Sequence, residues 1–167
     1  MCHRWWLKGE RAPGVAQQGY QWAYIFSAIR PATGEDFTLV LPLVNAAVMD
    51  LFLARFAAML PADAHAVLVL DGPTGQARGL KAHGWHDERA LTVPDNLTLV
   101  PLPAYSPELN PVERVWLYLR ERFLSLRLFP DTEAIIEACC RAWNALTAEP
   151  DRIRSLCSYP WLTKVAS

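Results

Sequence analysis

Residues Ala66-Val-Leu-Val-Leu70 are apolar without a break and end on a carboxylate, Asp71, followed by Gly72-Pro73. A short continuous run of this kind suits a strand buried on both faces, as in a sheet covered by helices. The rest of the chain must then supply those helices and the neighbouring strands. Upstream, Trp22-Ala-Tyr-Ile-Phe-Ser-Ala-Ile29 is aromatic and β-branched, which predicts a strand. Arg30-Pro-Ala-Thr-Gly-Glu35 is turn chemistry, with Pro31 and Gly34 setting the backbone, and Asp36-Phe-Thr-Leu-Val-Leu-Pro42 returns as the second arm of a hairpin. Asn45 can cap a helix over 46–60 whose apolar face is Val48, Leu51, Phe52 and Met59.

Downstream, Leu97-Thr-Leu-Val-Pro-Leu102 predicts another strand, and Pro103 to Pro111 a stiff, extended loop, because each proline turns its predecessor away from helix. A helix then begins at Pro111 with Asn110 as N-cap, and Val112, Val115, Trp116, Leu119 and Phe123 follow helical spacing. A second helix runs from Thr132 to about Leu146 after the cap Asp131, with Ile136, Cys139, Trp143 and Leu146 on one face. A third, short helix covers roughly 150–157. Strands and helices alternate, so the fold class is α/β with a mixed sheet flanked by helices. At 167 residues the expectation is one domain over 1–167, with an irregular stretch over 1–21 and a core over 22–157.

Composition excludes several alternatives. With 52% hydrophobic residues the chain is not disordered. Sixteen Lys+Arg against 17 Asp+Glu give a net charge of −1, which removes the easiest argument for nucleic-acid binding but not a local basic groove. No membrane partner is expected, because Asp50 and Arg55 interrupt the best apolar stretch and the N-terminus lacks a signal-like apolar core. The four cysteines, Cys2, Cys139, Cys140 and Cys157, form no C-x-x-C and read as buried thiols in a reducing cytoplasm.

Two carboxylates stand out. Asp71 closes an apolar strand at the edge where open α/β sheets place ligands, although an Asx-turn into Gly72 explains it equally well. Glu113 is the third helical residue after Asn110, so it either completes a capping box with the Asn110 N–H or faces a ligand. Arg114, Arg120, Arg122 and Arg127 face one acid among them, Glu121, and such a stripe either tracks phosphates or is a solvated face. His83 and His86 lie in a glycine-rich stretch without further zinc ligands, and no phosphate loop or nucleophile elbow is present.

Tyr105-Ser-Pro-Glu-Leu-Asn-Pro-Val-Glu113 resembles the signature of DDE-type transposases in the bacterial insertion-sequence branch of the mariner superfamily. Leu68-Val-Leu-Asp-Gly72 is similar to the strand carrying that family's second catalytic aspartate, and Gly84-Trp85-His86 to the G-W-H that follows it. The hairpin segments Tyr24–Ile29, Pro31–Gly34 and Phe37–Pro42 share the likeness. The resemblance implies an RNase H-like fold and metal-dependent DNA strand cleavage and transfer. Three carboxylates would hold two Mg²⁺ (or Mn²⁺) ions roughly 3.5–4 Å apart. Position by position, Asp71 matches the second carboxylate and Glu113 the third, while Glu108 matches a motif position that is not catalytic. His86, Tyr105, Asn110, Arg114 and Arg120 are the expected DNA-facing residues. The implied partners are DNA (transposon ends), an upstream-encoded transposase fragment and a second copy in a homodimer, in a nucleoid-associated, cytoplasmic setting.

The chain departs from the family pattern in two ways. No acidic residue precedes Glu10, so the first catalytic aspartate, its strand and the helix-turn-helix are expected to be missing by truncation. Forty-one residues lie between Asp71 and Glu113, more than the family usually has, with the excess between Gly72 and Gly84. These features predict weak or no catalysis by the chain alone. The competing expectation is a non-catalytic remnant that is inert or binds DNA or a transposase.

Overall fold

The computed structural model describes residue 8 and residues 21–70, 91–103, 106–125 and 127–159. The chain is α/β, in the order β1 (Tyr24–Ile29), β2 (Asp36–Leu41), α1 (Ala46–Met59), β3 (Ala66–Leu70), β4 (Leu97–Pro101), α2 (Val112–Leu119), α3 (Thr132–Thr147) and α4 (Arg152–Leu156). The hairpin forms as its sequence predicts. β1 and β2 pair antiparallel from Tyr24 opposite Leu41 to Ile29 opposite Asp36. Their turn is closed by the Arg30 N–H to the Glu35 carbonyl at 2.8 Å, and Gly34 takes φ +79°, a conformation that L side chains rarely adopt.

β3 and β4 pair in parallel, Ala66 opposite Leu97 through Leu70 opposite Pro101. Both therefore end on one edge, where the Leu102 N–H donates to the Leu70 carbonyl at 2.8 Å. The expected mixed sheet is divided: among the described residues, β1–β2 and β3–β4 are separate two-stranded sheets. β3 also departs from the prediction that it is buried on both faces. Ala66, Leu68 and Leu70 pack inward, but Val67 and Val69 are 62% and 50% exposed. The continuous apolar run required no alternation, so it carried no warning that one face lies open.

The helix caps follow the sequence. The Asn45 Oδ1 accepts from the Val48 N–H at 2.9 Å, and the Asp131 Oδ1 from the Ala134 N–H at 2.8 Å. The buried face of α1 differs from the predicted one: Ala46, Met49, Phe52, Leu53 and Ala57 are buried, while Leu51 and Met59 are exposed. This helix is apolar nearly all round, so periodicity did not choose its face. Phe52 decides it. Its ring lies 5.8 Å from Phe26 and 5.5 Å from Phe37, joining α1 to the hairpin. The Asn96 side chain adds a hydrogen bond to the Ala57 carbonyl at 3.1 Å.

Two apolar clusters result. One joins α1 to Phe26, Ala28 and the inner faces of β3 and β4. The other joins α2, α3 and α4 through Val115, Leu119, Trp143, Leu146 and Ile153 to Ile25 and Ile29. β1 lies between them, with alternate residues facing each. The Trp143 indole N–H donates to the Asp36 Oδ1 at 2.8 Å, tying α3 to the start of β2. Among the described residues no helix is long and apolar enough to cross a membrane.

Candidate active site

The predicted loop before α2 is not extended throughout. Ser106 is non-helical, but Pro107–Leu109 form one 3₁₀ turn. That turn engages backbone donors that matter here, with the Leu109 N–H to the Ser106 carbonyl at 3.1 Å and the Asn110 N–H to the Pro107 carbonyl at 3.0 Å. Asn110 is extended, and its Oδ1 accepts from the Val112 N–H at 3.3 Å, while Pro111 already has helical dihedrals. Asn110 thus performs the capping predicted for it, with Pro111 entering the helix behind it.

The same geometry bears on Glu113. A capping box would return its carboxylate to the Asn110 N–H, and that donor is already held by Pro107. Glu113 sits exposed in the first turn of α2, at the positive end of the helix dipole. Asp71 is the residue after Leu70 but lies outside the described residues, as do His83, His86 and Tyr105. Leu70 and the Asn110-Pro111-Val112 segment line one cavity of about 640 Å³, together with Leu102 and Leu109. The carboxyl end of β3 and the first turn of α2 therefore face a common space. Among the described residues no group of three His, Cys, Asp or Glu side chains is arranged to hold a metal.

The arginines are all exposed but do not form one α-helical stripe. α2 stops at Leu119, and Arg120–Leu124 make a π turn closed by the Ser125 N–H to the Arg120 carbonyl at 2.7 Å. Arg114 lies over the Tyr159 ring at 4.0 Å and donates to the Ser158 carbonyl at 3.3 Å, so it fastens α2 to the end of α4. The sequence reading missed a polar cluster beside it. The Tyr118 hydroxyl donates to Glu149, which pairs with Arg152 at 2.6 Å. That pairing with Arg152 holds the Glu149 carboxyl below its usual value, with Tyr118 assisting. The three-residue spacing of Glu149 and Arg152 was a visible signal; the approach of Tyr118 was not.

A cysteine lies behind the loop. Cys157 is buried at the end of α4, its Sγ 3.8 Å from the Pro111 carbonyl, and burial pushes its thiol up to about 11. Cys139 is buried as expected, but Cys140 is exposed, because adjacent helical residues point about 100° apart.

Comparison with known proteins decides the family. A family model described as "DDE superfamily endonuclease" matches residues 2–136. The chain belongs to the DDE superfamily of endonucleases. Both carboxylates, Asp71 and Glu113, fall inside the matched region, which ends within α3. An uncharacterized protein of Sinorhizobium fredii (strain NBRC 101917 / NGR234), y4pE/y4sA, is 45% identical to this DDE-family chain over 140 residues, covering 84% of it and 96% of the relative. No solved structure matches the chain.

Proposed function

We propose that this chain is the catalytic domain of an insertion-sequence transposase with an RNase H-like fold, acting on DNA through metal-dependent strand cleavage and transfer. The observation that carries the reading is the shared cavity. The end of β3, one residue before Asp71, and the turn that delivers Glu113 line the same space.

Carboxylate oxygens are hard donors of the kind Mg²⁺ and Mn²⁺ take, and Asp71 and Glu113 would hold such an ion. When bound, the ion would stabilise charge on the attacking and leaving oxygens of the phosphodiester. Of the chain's own groups, Asn110 holds the α2 start in register. Arg120, with His86 and Tyr105, would contact the DNA backbone. Arg114 would add to that contact, and its guanidinium also lies over the Tyr159 ring. Two carboxylates at the matched positions predict weak metal binding and weak cleavage, and a third carboxylate ligand should strengthen both.

The test is Mn²⁺ binding followed by water-proton relaxation, alongside Mg²⁺-dependent nicking of DNA. Asp71→Asn and Glu113→Gln should each weaken Mn²⁺ binding at least about tenfold, consistent with the loss of a hard anionic ligand. Unchanged binding in the double variant would overturn the assignment, as would nicking that survives both substitutions.

A further inference from the structure

Residues 149–159 lie beyond the part of the chain that the family model matches, yet they grip the helix that carries Glu113. Pro111, Arg114, Val115 and Tyr118 fall on one side of α2, at spacings of three and four residues. Their contacts run in the opposite order along the facing segment. The Tyr118 hydroxyl donates to Glu149 at 3.0 Å, and its ring lies under the Arg152 guanidinium at 5.5 Å. Val115 shares an apolar cluster with Ile153 and Cys157. Arg114 donates to the Ser158 carbonyl at 3.3 Å and covers the Tyr159 ring at 4.0 Å. The Cys157 Sγ stands 3.8 Å from the Pro111 carbonyl. With its flanks, α4 is therefore a strap laid antiparallel along the back of α2.

The strap bears unevenly on α2. The middle of that helix is also held by α3, through the Trp116 and Trp143 rings at 5.9 Å. At its first turn, Cys157, Ser158 and Tyr159 supply the support from behind. Glu113 is in that turn, next to Arg114 in sequence, and adjacent helical residues point about 100° apart. The strap thus braces the turn on one side while Glu113 stays exposed on another. A carboxylate that binds a metal ion is sensitive to the groups that fix the backbone beneath it, because ligand distances tolerate only tenths of an ångström.

We propose, resting on the reading of Asp71 and Glu113 as metal ligands, that Tyr159 is a positioning residue for Glu113. Through its ring contact with Arg114 it holds the first turn of α2 where the Glu113 carboxylate can share a divalent ion with Asp71. The Cys157 contact with Pro111 braces the same turn one step earlier.

The test uses the full chain without DNA, with Mn²⁺ binding read by water-proton relaxation, so that no Arg114 contact with phosphate enters. Tyr159→Ala should weaken binding at least about threefold, and Tyr159→Phe, which keeps the ring beneath Arg114, should retain it. The loss should vanish in the Glu113→Gln background, because a brace has no effect once the group it positions is gone. Amide exchange should quicken over 111–115 in Tyr159→Ala and stay unchanged over 132–147. Asp131→Ala, which removes a cap bond from α3, should leave Mn²⁺ binding unchanged. If Tyr159→Ala does not fold, Tyr159→Leu takes its place, since it keeps an apolar contact without an aromatic face. Unchanged binding or exchange in the Tyr159 variant, an equal loss in Tyr159→Phe or Asp131→Ala, or a loss that persists with Glu113→Gln would each overturn the proposal and leave the metal-ligand reading intact. Binding that survives Asp71→Asn and Glu113→Gln together, or no binding by the unaltered chain, would overturn both.

Discussion

At the scale of single residues, two cysteines separate exposure from reactivity. Cys157 is buried and its neutral thiol is favoured by the fold, so its stabilising contribution is complete below the ordinary value of 9.0. That contribution is lost as the pH climbs toward the raised value of about 11. Cys140 is exposed, and no comparable barrier protects it. At about pH 8, maleimide should modify Cys140 at least about a hundredfold faster than Cys157, measured by mass mapping of the alkylated peptides. Equal rates would mean that α4 does not hold Cys157 beneath Pro111. Gly34 is the other residue whose identity the backbone demands. Its φ of +79° and the Arg154 backbone nitrogen, 3.3 Å from where a Cβ would stand, both resist a side chain.

At the scale of elements, α1 shows what the sequence conveyed and what it withheld. Its start was legible because Asn45 is a local signal, answered three residues later by the Val48 N–H. Its face was not, because a helix that is apolar nearly all round takes its orientation from Phe26 and Phe37 in the hairpin. The two readings predict opposite results. Leu53→Ala should cost about 2–5 kcal/mol in urea denaturation, whereas Leu51→Ala should cost less than about 1 kcal/mol. The reverse order would restore the face drawn from periodicity. α3 was read more fully: Asp131, Cys139, Trp143 and Leu146 all stand where their spacing put them. Asp131→Ala should lower stability by about 1 kcal/mol through loss of the Ala134 N–H bond. The loop before α2 falls between these cases, since its prolines announced stiffness but not the 3₁₀ turn that occupies the Asn110 N–H.

At the scale of the whole molecule, the α/β class and the hairpin were legible, whereas the division of the sheet was not. Strand pairing is a relation between distant segments, and nothing in Ala66–Leu70 says that its sheet holds only β3 and β4 among the described residues. The bond between Trp143 and Asp36 was illegible for the same reason, as it spans 107 positions. It joins α3 to the hairpin, so Trp143→Phe should lower stability by about 1–3 kcal/mol, read from the denaturation midpoint. A neutral result would show that water replaces the indole at Asp36. Of the candidate site, Glu113 and its capping residue were readable from one compact motif, and their relation to β3 required the fold.

The position of β1 has a genetic consequence. Phe26 and Ala28 serve one apolar cluster while Ile25 and Ile29 serve the other, so both faces of that short strand are in use. A single-codon insertion inside Tyr24–Ile29 would exchange the two sets beyond it and strike both clusters together. The same insertion among residues 61–65, which join α1 to β3, should be absorbed by the loop. Soluble yield of the two insertion alleles compares them directly, and equal yields would show that β1 can slide.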